Sequence, residues 1–468
     1  MTSVPPTAAK PLPQDPDHDH DGEAGLRAAL EYPLLSAIFH RRSRRISQGI
    51  RSVPAGSLTY SSSKEPQPLT PLEEALLIAA TGTTGFTMPD MPFRTEDGRP
   101  LVGSPMVDVL GRAAPSPDNA QATQFFLVND SGTYFLRRPD LKDAPPLGDG
   151  RMDAGRLLAY AEACKVKVLD RRVDFPRQFP YYLGRNRYVS NVPGSTLLVP
   201  VVDLTRQYIN GLMFLLTQDD GHRPVFVDDW SFYRPAGVKK WIRNGFLNPE
   251  EKIPLGMLHH GRIPYEAEML LQNVFLTMQA MGLGGWIHAG FAGPVLLGDA
   301  DYAKDGPGLG FRFHTPRKPL RRLLRFLFPL PSWRPNPVGL DGVLEGFCPP
   351  YHPSMSEAVD ALLRHKYGPR GLYTDPSSFQ RVFKPGLAER FVEEVPRYTD
   401  EVIACCKDVC NYIFDTYDRF PAHVDAMYVP GVWIQAHHLD LDYYDQLYQR
   451  GYSSTQAGHQ ALWHGQGT

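Results

Sequence analysis

The densest cationic chemistry in the chain lies near its N-terminus. Arg41, Arg42, Ser43, Arg44 and Arg45 follow an apolar segment without interruption. Guanidinium forks beside a hydroxyl suit the oxygens of a phosphate. Taken alone, the run also reads as a solvated basic patch. A second cluster comes much later, at Arg317 and Lys318, and continues through Arg321, Arg322 and Arg325. A dianionic group needs several fixed cations, and two distant clusters gathered on one anion would supply them. Between them a polar turn, residues 112–121, runs into the apolar residues Phe125, Phe126, Leu127 and Val128. Ser116, Asn119 and Gln121 can donate and accept hydrogen bonds toward the edge of a heterocycle. As a turn before a strand, they need no function. A third group, His423, Asp425, His437, His438, Asp440 and Asp442, has the residue types of a metal site. Its spacing matches no ligand pattern. Satisfied polar residues on an aromatic-rich docking surface are the expectation, with no metal.

These groups must be positioned by regular elements, and the clearest covers residues 265–281. Ala267, Leu270, Leu271, Val274, Met278 and Met281 recur at three- and four-residue steps and make one apolar stripe. Pro264 suits a helix start and Gly282 a helix stop. Gly284 and Gly285 let the backbone approach something flat or bulky. His288, shortly after, reads as a packed core histidine. Residues 26–39 are expected to form a short amphipathic helix. Thr70 is expected to cap the next helix, with Pro71 in its first turn and Glu73 and Glu74 at its positive end. Residues 86–111, rich in Pro and Gly, read as a long loop. Strands are expected at 125–128 and 134–136 around a turn at 130–132, and at 195–202, with a final core strand at 308–313. Residues 153–164 and 400–414 read as helices, the second with a stripe of Val402, Cys405, Cys406, Val409 and Ile413. Residues 208–216 form a further apolar segment.

Composition bounds the function. The chain has 468 residues, 42% hydrophobic and 21% charged, as expected of a globular protein with a large core. A net charge of −2 implies no bulk attraction to nucleic acid or anionic membrane. Forty-five prolines predict many chain breaks. Five cysteines, an odd number without a CxxC pair, favour reduced thiols in a cytoplasm over a disulfide scaffold or zinc site. No apolar run reaches the ~18 residues of a membrane span, and no signal-peptide pattern is evident. Residues 1–24, rich in Pro, Asp and His, are expected to be a disordered tail. A change of character after the prolines near 329–337 places a boundary there, dividing residues 25–328 from a helical C-terminal extension, 329–468.

The order of these features resembles the FMN-dependent nitroreductase family: an RRSRR run, the APSPDNAQ turn before a strand, a helix ending in GLGG, and a late strand ending in PRKP. The resemblance covers roughly residues 38–320. It implies an α+β sandwich, with a mostly antiparallel sheet flanked by helices. It also implies a homodimer with FMN at the subunit interface. Carried over by residue, Arg41, Arg42, Ser43 and Arg45 match the set at the FMN phosphate and ribityl chain. Pro115, Ser116, Asn119 and Gln121 match the turn against the flavin. Gly282, Leu283, Gly284 and Gly285 match the stretch beside its ring, and Arg317 and Lys318 the late basic pair at the phosphate. The implied activity is an oxidoreductase using NAD(P)H and a small organic acceptor, with Arg41 or Arg45 near flavin N1. No proton donor is identified.

The interval of about seventy residues between RRSRR and APSPDN is long for the compact members and closer to the larger azoline-dehydrogenase-like branch. The extra residues after Leu136 and the C-terminal extension have no counterpart in the compact fold. Substrate is therefore not inherited. The alternatives are a flavin-dependent dehydrogenase or oxidase of a peptide or small-molecule ring, a flavin-free binding protein, and a metalloenzyme centred on the His/Asp group.

Overall fold

The computed structural model describes residues 22–465 except 52, 54–55, 91, 100–104, 106, 142, 149, 180, 183, 219–220, 230, 257–264, 290–292, 301–305, 307, 316–334, 422 and 426–431. Its architecture is α+β. A seven-stranded sheet runs in the order Gly284–Ala289, Val432–His437, Thr196–Asp203, Thr123–Asn129, Gly132–Leu136, Lys165–Leu169, and His423–Asp425 also pairs with Thr196–Asp203. Every pairing within it is antiparallel.

Period-two alternation decides which side chain goes to which face. Phe125, Leu127, Leu198, Ile434 and Ala436 join one core. Phe126, Val128, Leu197, Val199, Val201 and Trp433 join the core on the opposite face. Thr196–Asp203 is buried at all eight positions because both faces are covered and strands flank both edges. The first core lies under the helices Pro71–Thr81, Ala154–Cys164 and Tyr265–Met281, whose stripe residues Leu270, Leu271, Val274, Met278 and Met281 all enter it. A separate core surrounds the helix Thr205–Leu216 and includes Val402, Cys405, Cys406, Val409 and Ile413 of the helix Asp400–Tyr417.

Local chemistry sets the helix ends. Thr70 caps Pro71–Thr81 with a reciprocal box: Glu73 N–H donates to Thr70 Oγ1 at 3.3 Å, and Thr70 N–H donates to Glu73 Oε2 at 2.6 Å. Asp153 caps Ala154–Cys164 by accepting from Arg156 N–H at 2.9 Å. Gly282 ends Tyr265–Met281 with φ 82°, in the left-handed region where glycine is favoured.

Several expectations are corrected. The helix expected at 26–39 is two helices, Glu23–Leu30 and Leu34–His40, interrupted at Pro33, which has no N–H to continue the ladder. The strand expected at 308–313 is Arg312–His314. It pairs with Asn336–Leu340 in a separate three-stranded sheet and not in the central one. The apolar segment 208–216 lies in the helix Thr205–Leu216. The ends of the proline-rich 86–111 stretch pair with each other as Thr83–Phe86 and Leu110–Arg112. The C-terminal region is mainly helical, but it also places Val432–His437 inside the central sheet. That segment is core because both its faces are covered, Trp433 entering one core and Ile434 and Ala436 the other. Residues 1–21, most of the expected tail, lie outside the described residues. All five cysteines are buried free thiols. No helix among the described residues is long and apolar enough to cross a membrane.

Candidate functional site

The arginine run is an edge segment of the central sheet. Arg44 forms an antiparallel bridge with Gly285, its N–H donating to the Gly285 carbonyl at 3.0 Å. Arg44 Nε donates to the Gly451 carbonyl. This anchoring sends neighbouring side chains in different directions. Arg41, half-buried, lies over the Phe275 ring, 4.6 Å from its centre. Arg42, Ser43 and Arg45 are exposed. Arg42 Nη1 donates to the carbonyls of Phe39 at 3.0 Å and Arg41 at 2.7 Å. Arg45 lies over the Trp286 ring at 5.4 Å.

Beneath Arg45 is a buried aromatic stack. Trp286 and His288 stack with centroids 3.9 Å apart, and Trp433 meets His288 edge-on and donates its indole N–H to His288 Nε2. Burial pushes the His288 imidazole down to about 3, and the charge of Arg45 adds to the effect. The ring is therefore neutral at ordinary pH, as a packed core histidine should be. Trp286 Nε1 and His288 Nδ1 make no hydrogen bond among the described residues.

The polar turn is built inward. Ser116 Oγ donates to Glu266 Oε2 and accepts from Gln121 N–H at 2.8 Å. Glu266, fully buried, also accepts from Thr123 N–H at 2.9 Å. Asn119 donates to the Asp108 carbonyl at 3.0 Å, and its Oδ1 accepts from Gln121 Nε2 at 3.0 Å. Asn119 and Gln121 both hold left-handed backbone, at φ 50° and 48°. That conformation is costly for glutamine, and strained turns of this kind concentrate at functional sites. Pro115 is exposed on the same turn.

Within one chain the two groups do not meet. Ser116 touches Glu266 in the first turn of Tyr265–Met281, and Arg41 covers Phe275, nine residues later. At 1.5 Å per residue, those contacts are about 14 Å apart along the helix. Leu283 is buried in the helix-side core. The close approach allowed by Gly284 and Gly285 is to this chain's own residues. A β-carbon at 284 would stand 2.5 Å from Leu439 Cδ1 and 2.9 Å from His437 Nε2, and one at 285 would stand 2.2 Å from the Gln435 carbonyl oxygen. Arg317 and Lys318 lie outside the described residues.

The His/Asp group disperses. Asp440 accepts from Tyr60 OH at 2.9 Å, and Asp442 pairs with Lys64 at 3.1 Å. His437 and His438 are buried, and the side chains of His423 and Asp425 lie outside the described residues. His438 instead joins Glu73, His459 and His464, three residues absent from the sequence-based site. The pair His459 and His464, in and just after the Ser454–Trp463 helix, was visible in the sequence. That Glu73 would lie against them was not.

As a test of fit to FMN, Arg42, Ser43 and Arg45 present two guanidinium groups and a hydroxyl to solvent within four residues, a suitable set for phosphate oxygens. Two buried ring nitrogens beside Arg45 have no hydrogen-bond partner among the described residues.

No family model and no curated protein matches the chain. Among solved structures, a protein described as a candidate nitroreductase from Ralstonia eutropha aligns with 63% of this chain and 81% of its own, at 14% identity and a TM-score of 0.27.

Proposed function

We propose that the chain is an FMN-dependent oxidoreductase of the nitroreductase type, acting as a homodimer and passing electrons from NAD(P)H to a small organic acceptor. One observation carries this reading. An exposed apolar helix face runs directly into an exposed cationic strip. Leu34, Leu35 and Phe39 are 65%, 64% and 66% exposed, and Arg42, Ser43 and Arg45 follow at once. Such an apolar face on a globular surface calls for a protein partner, and the strip calls for an anion. A second copy of the chain would cover the first. In the proposed dimer the partner subunit's 115–121 turn would complete the site, since within one chain that turn and the arginine run do not meet.

When bound, FMN would supply the redox chemistry. Arg42 and Ser43 would hold its phosphate, and Arg45 would place positive charge over the Trp286 face beside it. Arg317 and Lys318 would join them at the phosphate. The acceptor would enter a pocket shaped by residues beyond the compact fold, so its identity is not inherited. A cytoplasmic location fits five buried reduced thiols.

A second reading is a flavin-free relative that binds a partner through the same surface. It is favoured by the packing of Leu439, His437 and Gln435 against Gly284 and Gly285. The experiment is the absorbance of freshly purified protein. Flavin bands released on denaturation, with anaerobic bleaching by NADH or NADPH, support the reductase. Bleaching only by an organic substrate would make it a dehydrogenase or oxidase. A colourless protein that does not take up added FMN would leave the flavin-free reading.

A further inference from the structure

We propose that Glu73, His438, His459 and His464 form a closed site for one divalent transition-metal ion of the zinc class, which staples the C-terminal segment to the body of the fold.

The four ligand atoms lie within 4.8 Å of one another. Nε2 of His438, His459 and His464 stands 3.1, 2.9 and 3.2 Å from the same Glu73 oxygen, Oε1. His464 Nε2 is 3.2 Å from His438 Nε2. Zinc bonds of about 2.0–2.2 Å to nitrogen and oxygen give a tetrahedron with edges of ~3.3 Å. Four of the six edges therefore need almost no adjustment. The side chains of Glu73 and His438 are 0% exposed and that of His459 4%.

Three of the four ligands are also held from behind, as metal ligands commonly are. Glu73 Oε2 accepts the Thr70 N–H of the capping box, which fixes the carboxylate and leaves Oε1 to the histidines. His438 Nδ1 is 2.9 Å from the Gln67 carbonyl, and His459 Nδ1 is 2.8 Å from the Met281 carbonyl. A carbonyl only accepts, so both Nδ1 atoms carry the hydrogen. In the neutral, metal-binding form of each ring, that tautomer turns the Nε2 lone pair toward the lone pairs of Glu73 Oε1. His459 Nε2 makes no hydrogen bond although it is 2.9 Å from that oxygen. Buried lone pairs converging on one point are satisfied by a shared cation.

Three imidazoles and one carboxylate, without thiolate, suit zinc and its first-row neighbours. Four protein ligands in a buried site leave no open position, which is the pattern of a structural ion rather than a catalytic one. The ligands join distant parts of the chain. Glu73 lies in the first turn of Pro71–Thr81, His438 follows the central strand Val432–His437, and His459 and His464 lie in and just after the helix Ser454–Trp463. The staple is independent of FMN.

The test uses the full chain without a histidine tag, stripped with chelator and dialysed against Co²⁺ or Zn²⁺. One equivalent per chain is expected, with the intense visible bands of tetrahedral Co²⁺ and a raised thermal midpoint. His464→Ala, at the site's edge, should weaken binding by ~100-fold, since even loss of an outer-shell contact can cost 10–100-fold. His459→Cys should keep the ion and add a thiolate-to-cobalt charge-transfer band in the near ultraviolet. That band is a signature that loss of folding cannot produce. No uptake by the wild-type chain, a weak octahedral Co²⁺ spectrum, or unchanged affinity in His464→Ala would overturn the proposal. A protein that carries one zinc but neither contains flavin nor takes up added FMN would support the staple and remove the flavin reading.

Discussion

Arg44 N–H and the Gly285 carbonyl meet at 3.0 Å, so the arginine run is held by the backbone of the central sheet. Gly285 faces the strand Val432–His437 on its other side. Gly285→Ala would set a methyl 2.2 Å from the Gln435 carbonyl oxygen and 2.0 Å from Met278 Cε. Met278 can move, but the carbonyl cannot. We expect a loss of about 2–3 kcal/mol, read as a lower urea midpoint. An unchanged midpoint would show that the strands can separate there without cost.

Leu35 and Phe39 are the most direct probes of the second copy. Leu35→Asp with Phe39→Asp should convert a dimer to a monomer by light scattering, with the circular dichroism of the fold retained. Both side chains are exposed in one chain, so the substitutions disturb little within it. A monomeric wild-type protein would remove the homodimer from the proposed function.

Arg42 and Ser43 bear on the anion. A charge-assisted hydrogen bond contributes roughly 1.5–3 kcal/mol. Arg42→Ala should therefore weaken FMN binding by about 10- to 100-fold. Ser43→Ala removes a neutral contact of about 1 kcal/mol and should weaken binding by about fivefold. Fluorescence titration of the apoprotein measures both. Full affinity in the two variants would place the phosphate elsewhere.

His288 makes stability depend on pH. Its native value lies near 3, against an ordinary value of 6.5. Above pH 6.5 neither state binds the proton, and its contribution is complete. As pH falls through 6.5, the unfolded chain protonates while the native ring, stacked on Trp286 and beside Arg45, stays neutral. The native state then loses about 1.4 kcal/mol per pH unit down to about 3. His288→Gln should lose about 1.4 kcal/mol less than wild type between pH 7.5 and pH 5.5 in urea unfolding. Equal losses would contradict the assignment.

The sequence by itself determined the elements whose signals are local. The stripe of Leu270, Leu271, Val274 and Met278 was legible because a helix face repeats every three to four residues. The Thr70 cap was legible because a capping box is closed by residues three positions apart. The strand at Phe125–Val128 was legible as a short, continuous run of apolar, largely β-favouring residues after a polar turn. The cationic character of residues 41–45 needed no folding to see. Tertiary structure decided which of these groups share a place. His438 looked like one polar residue in an aromatic stretch, and Val432–His437 like a docking surface, until that strand filled the space between Gly284–Ala289 and Thr196–Asp203. Insertion of the strand carries His438 to Glu73, 365 residues earlier. It also fills the space beside Gly284 and Gly285. Contacts across that separation leave no periodic trace in the chain. They are set by which buried surfaces close on one another, and only the folded core makes that choice.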